Sequence, residues 1–427
     1  MLAILYLLIA LFFGDRLRRT LLPPTRSLYA SIATHEATDA PEWLFDIPAA
    51  MVLGLLPMMW MTYALAVLTA YIPSLTRLVN PLLPANLVVM PLVFILSLVL
   101  TGRLRERAHL KRLADHEDLS ASAVRRRRLL GFMTGSSGAY LLAMLAFTLF
   151  GLWLMRTGLR IENGQLRAGY SVFSDFAPHT ALVSSFARGA NYPAQYPHFP
   201  MDGIRYHFIF YFLCGNLDFL GLPIDWAINL PSVMGLAAFC SLLGLLGVLI
   251  TGRRIVFLLA PAMLFFRSSF AFVTYLRDRI RLGDTLGEAI RAMGKTTVFI
   301  GNTLHEDWGL FAVNVYANQR HFLFGLSAML FLLFLFLPLL HAGLRPGKPG
   351  ARAFARRLFS RESWAIPSMR VLAAALLTVV CLPYLHGSVL VASLLVLAVM
   401  FLFSAGRLQY LLVAMAAIGA TLLQADL

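Results

Sequence analysis

Residues 161–207 read IENGQLRAGYSVFSDFAPHTALVSSFARGANYPAQYPHFPMDGIRYH, a polar island between long apolar runs. Asp, His, Asn, Tyr, Pro and Gly crowd this stretch, whereas most of the chain around it suits lipid. A connection of this length and mixed composition between hydrophobic segments is more often functional than passive. Within it Asp175 and His179 stand four residues apart, followed by His198, Asp202, Arg205, Tyr206 and His207.

The chain surrounding the island has 427 residues, 59% of them hydrophobic and only 13% charged. A soluble domain carries about 25% charged residues. The mean hydropathy is +0.74, and the apolar residues come in runs near the roughly 20 residues a helix needs to cross a bilayer. The expected fold class is therefore an all-α polytopic membrane protein with about ten transmembrane helices. The expected spans are an anchor at Leu2–Phe13, then Ala49–Ile72, Asn86–Leu100, Leu130–Met155, Ala227–Ile250, Ile255–Leu276, Phe322–Leu340, Val371–Leu382, Ser388–Phe403 and Gln409–Leu423. The N-terminal run precedes its charges (Asp15, Arg16, Arg18, Arg19), the reverse of a secretory signal.

A net charge of +15 invites a nucleic-acid reading, but the basic residues gather in loops beside apolar runs, where the positive-inside rule accounts for them. Arg103, Arg105, Arg107, Lys111, Arg112 and Arg125–Arg128 lie between Thr101 and Leu129 against four acids. The 345–370 stretch and the Arg253-Arg254 turn are likewise basic. These segments are expected on the cytoplasmic face, with the 156–226 and 277–321 loops together on the opposite, periplasmic or extracellular, face. The basic 102–129 loop divides an N-terminal three-helix unit, 1–128, from the remainder, 129–427. Cys214, Cys240 and Cys381 show no paired spacing and read as packing residues.

Asp175 and His179, at i and i+4, share one face of a helix beginning near Ser174. Such a helix places Asp175 in its first turn, where an acid also suits the helix dipole. Its apolar residues, Ala181, Leu182, Phe186 and Ala187, predict an amphipathic helix at the membrane interface. The aromatic run Tyr206–Leu213 reads as another interfacial element. An acid in this setting serves as a base toward a hydroxyl or holds a metal, and Arg205 suits a phosphate oxygen. The second outer loop, GNTLHEDWGLFAVNVYANQRHFLFG from Gly301 to Gly325, offers His305, Glu306 and Asp307. It then offers Asn318, Gln319, Arg320 and His321 directly before a span. Ionisable groups at such a junction point to function, with Arg320 read as a phosphate contact or an interface anchor. P-loop, dinucleotide, G-x-S-x-G and HExxH patterns are absent from the sequence.

The 174–207 stretch and the Asn318-Gln319-Arg320-His321 start of a span resemble the integral-membrane GT-C glycosyltransferases, bacterial members above all. From Leu130 onward the order of span, long loop, two spans, long loop and further spans is similar to that family's seven-helix module, here preceded by three extra helices. The resemblance implies a polyprenyl-phosphate-linked sugar donor and amphipathic juxtamembrane helices in the first long outer loop. It makes Asp175 the first catalytic acid and Glu306 or Asp307 the second. A divalent cation such as Mg or Mn would be held by Asp175 and Glu306. Arg320, Arg205 and His321 would contact the donor phosphate, with His179, His305, His207 and Asn318 in support. The acceptor would be a lipid, a glycan or a protein of the cell envelope. Implied partners are the donor, membrane lipids and other protein subunits, with no nucleic acid. The strict D-x-D of some members is absent. The alternatives are a non-catalytic GT-C-like scaffold subunit and a transporter or flippase of a lipid-linked intermediate.

Overall fold

The computed structural model describes residues 1–34, 39–76, 79–115, 136–169, 173–265, 271–296, 312–344 and 358–426. The N-terminal helices are α1 (Leu2–Leu21), α2 (Thr25–Ile32), α3 (Trp43–Ala70), α4 (Pro73–Thr76) and α5 (Leu82–Asp115). After α6 (Ser136–Gly158) come the hairpin β1 (Leu159–Glu162) and β2 (Gln165–Ala168), helix α7 (Phe173–Ala187), and a second hairpin, β3 (Gln195–Tyr196) with β4 (Phe199–Gly203). Helices α8 (Ile209–Phe219), α9 (Ile224–Thr251), α10 (Val256–Phe265), α11 (Ala271–Arg281) and α12 (Leu286–Lys295) follow. The chain then makes a π-helical turn at Ala312–Ala317 and continues as α13 (Arg320–Leu344), a 3-10 turn at Arg361–Trp364, α14 (Met369–Val379), α15 (Leu382–Leu385), α16 (Gly387–Phe403) and α17 (Arg407–Asp426).

Six helices among the described residues are long and apolar enough to cross a membrane: Trp43–Ala70, Leu82–Glu106, Ser137–Gly158, Ile224–Thr251, Arg320–Leu344 and Arg407–Ala425. Shorter apolar helices stand at the expected spans Ile255–Leu276, Val371–Leu382 and Ser388–Phe403, the first described as Val256–Phe265 and again from Ala271. The chain is thus a helical, multi-pass membrane protein. Helices α3, α9 and α13 are central, with about three fifths or more of their apolar windows buried (61%, 67% and 61%). Helices α5, α6 and α17 bury 39%, 28% and 28%, and their outer faces carry exposed Leu, Ile, Val and Phe suited to lipid.

Close packing between spans follows from small residues. Ala10 and Gly14 of α1 face Ala50 and Gly54 of α3, and a Cβ built on Gly54 would come within 1.9 Å of the Ala10 carbonyl oxygen. Small residues four apart on both helices let the backbones meet, the usual means of helix association in a bilayer, where apolar burial alone gives little preference. Tyr6 and Thr62 add a side-chain hydrogen bond across the same interface (3.0 Å). Asn86 of α5 and Asn216 of α8 bond each other through both amides, 2.6 and 3.2 Å, so their buried polar groups satisfy one another.

These contacts also set the ends of the molecule. Tyr63, near the end of α3, accepts a hydrogen bond from the Ala194 amide of the polar island (3.0 Å). Glu42, just before α3, lies with Arg18, Arg26 and Arg105 at the other end. Twenty-one residues of helix separate Tyr63 from Glu42, about 32 Å, close to the roughly 30 Å of a bilayer's hydrocarbon core. His341 at the far end of α13 bonds the Ser31 carbonyl (3.1 Å), and Thr34 bonds the Leu249 and Ile250 carbonyls, at that same basic end. The island and the residues leading into α13 sit together at the opposite end.

Two expectations within the island change. Helix α7 forms where predicted, with Asp175 in its first turn, but its apolar face (Phe176, Leu182, Val183, Phe186) is covered by α8. Gly215 of α8 permits the approach, since a Cβ there would stand 2.7 Å from the Val183 carbonyl oxygen. The aromatic run expected at the interface becomes α8 itself, with Phe208 to Cys214 at 0–1% exposure. A run hydrophobic on all faces belongs in a core or a bilayer, and tertiary contacts with α7, α9 and α3 choose the core.

Candidate functional site

The site is built on a rigid base where α6, α9 and α13 meet. Arg320, the first residue of α13, is fully buried. Its Nε donates to the Ala317 carbonyl (2.6 Å), Nη1 to Asn229 Oδ1 (2.6 Å) and Nη2 to the Met155 carbonyl (2.9 Å), and the guanidinium lies 5.0 Å over the Phe176 ring. Asn229 in turn donates to the Leu159 carbonyl (2.8 Å), and Asp225 accepts from the Ile161 amide (3.0 Å). One guanidinium thereby joins the end of α6, the start of α9, the π-turn and α7. Arg320 was expected to hold a phosphate at the membrane surface. The structure turns it inward instead: the side chain is fully buried and each of its three nitrogens donates to a protein acceptor.

Above this base Asp175 is half-buried. Its Oδ2 accepts hydrogen bonds from Asn318 Nδ2 (2.5 Å) and Gln319 Nε2 (3.0 Å). Two amides on the α13 side thus aim a carboxylate on α7, while Oδ1 has no protein partner among the described residues. The sequence singled out Asp175 and Asn318 separately, and the fold brings them into contact across 143 positions. Tyr206 stands beside them. Burial, with the Asp175 charge as second cause, pushes its phenol up to about 12.

Four histidines form a cluster that reaches Asp175 through His179, which lies within range of its charge. His207 and His321 lie with ring centroids 4.1 Å apart, and His386 stands 5.0 Å from His207 and 4.9 Å from His321. His179 is 6.1 Å from His321 and stacks on Tyr211 at 4.5 Å, while the Tyr211 hydroxyl shares a 2.8 Å hydrogen bond with His321 Nδ1. His179 Nδ1, His207 Nε2 and His321 Nε2 are buried without a partner. Burial lowers His207 to about 3, with His386 and His179 adding to the shift. Burial also lowers His179 to about 4, against the raising effect of Asp175. Both rings are neutral at pH 7, each with one donor and one acceptor nitrogen.

Arg205 is exposed, two residues before His207, with no ion-pair partner among the described residues. Of the two arginines singled out, it is the one with a free guanidinium. His198 is exposed beside Tyr196. His305, Glu306 and Asp307 lie outside the described residues, so the expected pairing of Asp175 with a second acid does too. Among the described residues no group of three or more His, Cys, Asp or Glu has the geometry to hold a metal ion. A hard cation takes six or more oxygen ligands, and this part of the site offers it one free carboxylate oxygen, Asp175 Oδ1.

His386, Tyr211 and Asn229 were not anticipated from the sequence. The signal for His386 was present: an ionisable residue in the short break YLHGS between two apolar runs, on the outer side. Asn229 likewise stands out as an amide inside an otherwise apolar span. Comparison with protein families, with curated proteins and with solved structures finds no match to this chain.

Proposed function

We propose that this chain is a membrane glycosyltransferase that moves a sugar from a polyprenyl-phosphate-linked donor to a hydroxyl-bearing acceptor on the outer face of a bacterial inner membrane. The observation that carries the reading is Asp175: a carboxylate fixed by two amides through one oxygen, its other oxygen without a partner among the described residues, near His179 of a four-histidine cluster at the non-basic end of a membrane protein. In this reading Asp175 Oδ1 takes the acceptor hydroxyl's proton as that oxygen bonds to the sugar's anomeric carbon. The bond from the anomeric carbon to the phosphate oxygen breaks, and its electron pair leaves with polyprenyl phosphate. Ring N–H groups of His207 and His321 donate hydrogen bonds to the departing phosphate oxygens, and Arg205 supplies the positive charge. Fixed donors in a water-poor site stabilise developing charge without reorganisation, and a positioned base contributes about 10²–10⁴ in rate.

The roles of Asn318 and Gln319 follow from geometry. By holding Oδ2 they keep Oδ1 aimed, and a small misplacement of a base is costly. The reading is tested by profiling envelope glycans and glycolipids in a strain lacking the gene and complemented with the parent or with Asp175→Asn. A missing glycan restored by the parent and not by an inserted, stable Asp175→Asn protein supports it. Full rescue by the variant moves the assignment to a scaffold subunit.

A further inference from the structure

At the opposite, basic end of the molecule, the end of α1, the α1–α2 turn, the residue before α3 and the middle of α5 line an open cleft of about 560 Å³. Its walls include Arg16, Arg18, Arg19, Thr25, Glu42 and Arg105, and its size lies in the range of small-molecule sites, roughly 300–1,000 Å³. Asp15 is shared by three guanidinium groups: Arg16 at 3.3 Å, Arg18 at 3.1 Å and Arg19 at 2.9 Å. Arg18 also meets Asp46 at 3.0 Å, and Arg26 pairs with Glu42 at 3.1 Å. Arg105 is exposed with no ion-pair partner among the described residues. Five arginines therefore face three carboxylates, leaving two positive charges in excess.

A second observation points to a ligand. Arg18 is only 6% exposed, yet its Nε, like that of Arg16, is buried with no hydrogen-bond partner. A buried N–H of a charged group without an acceptor is unfavourable, so this guanidinium cluster is short of acceptors and favours an anionic oxygen bound at its accessible nitrogens. The surface beneath indicates what carries that oxygen. Ile95, Leu98 and Val99 of α5, within two turns before Thr101, are 56%, 49% and 48% exposed. An apolar strip of this kind leading to a guanidinium cluster suits an acyl chain below and a phosphate above. Arginine's planar fork matches phosphate oxygens two at a time, and basic pockets between membrane helices on the cytoplasmic side favour anionic headgroups.

We propose that this cleft is a binding site for the phosphate group of an anionic phospholipid in the leaflet opposite the candidate active site. Arg16, Arg18 and Arg105 contact the phosphate, and the Ile95–Val99 face receives the acyl chain. The site stands about 30 Å of helix away from Asp175 and is independent of the catalytic reading.

The test uses the full chain purified in neutral detergent and titrated with short-chain phosphatidylglycerol, short-chain phosphatidylcholine or inorganic phosphate. Binding is read by native mass spectrometry and thermal shift. The expected result is saturable binding of phosphatidylglycerol at least tenfold tighter than phosphatidylcholine. It should weaken about tenfold or more in an Arg16→Gln/Arg105→Gln double variant, whose residues leave the Arg18–Asp46–Thr25 contacts intact. Glu42→Gln, which removes a carboxylate from the wall, should tighten it. If inorganic phosphate binds as well as phosphatidylglycerol, the ligand is a free anion and the lipid assignment falls. Equal binding of both lipids, or a folded double variant that binds like the parent, also overturns the proposal.

Discussion

Replacing Arg320 separates a structural clamp from a ligand contact. Its three nitrogens reach three acceptors on three elements: the Ala317 carbonyl, Asn229 Oδ1 and the Met155 carbonyl. Arg320→Gln removes a buried donor set and strands those acceptors. Each buried acceptor left unpaired costs about 1–3 kcal/mol, and partial re-pairing brings the sum near the ~3–5 kcal/mol typical of breaking a buried charged contact. Taking about 4 kcal/mol, and about 2 °C per kcal/mol for a large domain, the melting temperature should fall by roughly 8 °C. Arg320→Lys keeps the charge but places its donors on one atom, which cannot meet acceptors spread around a planar fork. It should lose at least half as much. The assay is thermal melting in detergent followed by size exclusion, with Arg205→Gln as the comparison, since Arg205 is exposed and should melt like the parent. If Arg320→Lys and Arg320→Gln both melt within about 1 °C of the parent, the clamp is wrong.

Three further outcomes follow from packing, titration and placement. Gly54→Leu should prevent α1 from docking on α3, because even a Cβ at that position overlaps the Ala10 carbonyl; crosslinking of a cysteine pair placed across the two helices should be lost, and retention would contradict the packing. His179 and His207, lowered to about 4 and about 3, bind protons near pH 6.5 only when unfolded. The unfolded state therefore holds more protons from pH 6.5 down to about 4, so stability is full above that window and falls as pH drops through it. His207→Asn should flatten the decline in melting temperature between pH 7 and 5, and an unchanged slope would refute the assignment. A cysteine at Asn163, in the exposed turn between β1 and β2, should react with an impermeant reagent added outside intact cells, whereas one at Arg105 should not.

The parts of this account that were legible in the sequence are those set by composition and local spacing. Long apolar runs mark the spans because unpaired backbone groups leave few structures that tolerate lipid. The i, i+4 spacing of Asp175 and His179 gave a shared helix face that the fold retains. Arg320 was misplaced because a guanidinium beside an apolar run reads the same whether it snorkels or turns inward. The acceptors that decide the matter lie 3 to 165 residues away. The Phe208–Cys214 run failed for a related reason, since an all-round apolar segment does not say whether lipid or protein will cover it. The assembly of His179, His207, His321 and His386 is a product of tertiary structure alone. They are far apart in sequence, and only the meeting of α7, the residues before α8, α13 and the α15–α16 break makes them neighbours.

The most direct measurement is release of polyprenyl phosphate from a radiolabelled polyprenyl-phosphate hexose by the purified chain in nanodiscs, with the parent compared to Asp175→Asn. The account predicts that the parent binds donor and releases polyprenyl phosphate in the presence of envelope acceptors. It predicts that Asp175→Asn, folded and still binding donor, is slower by on the order of a hundredfold or more. Release at the parent rate by Asp175→Asn, or no donor binding by a folded parent across the common hexoses, would contradict it.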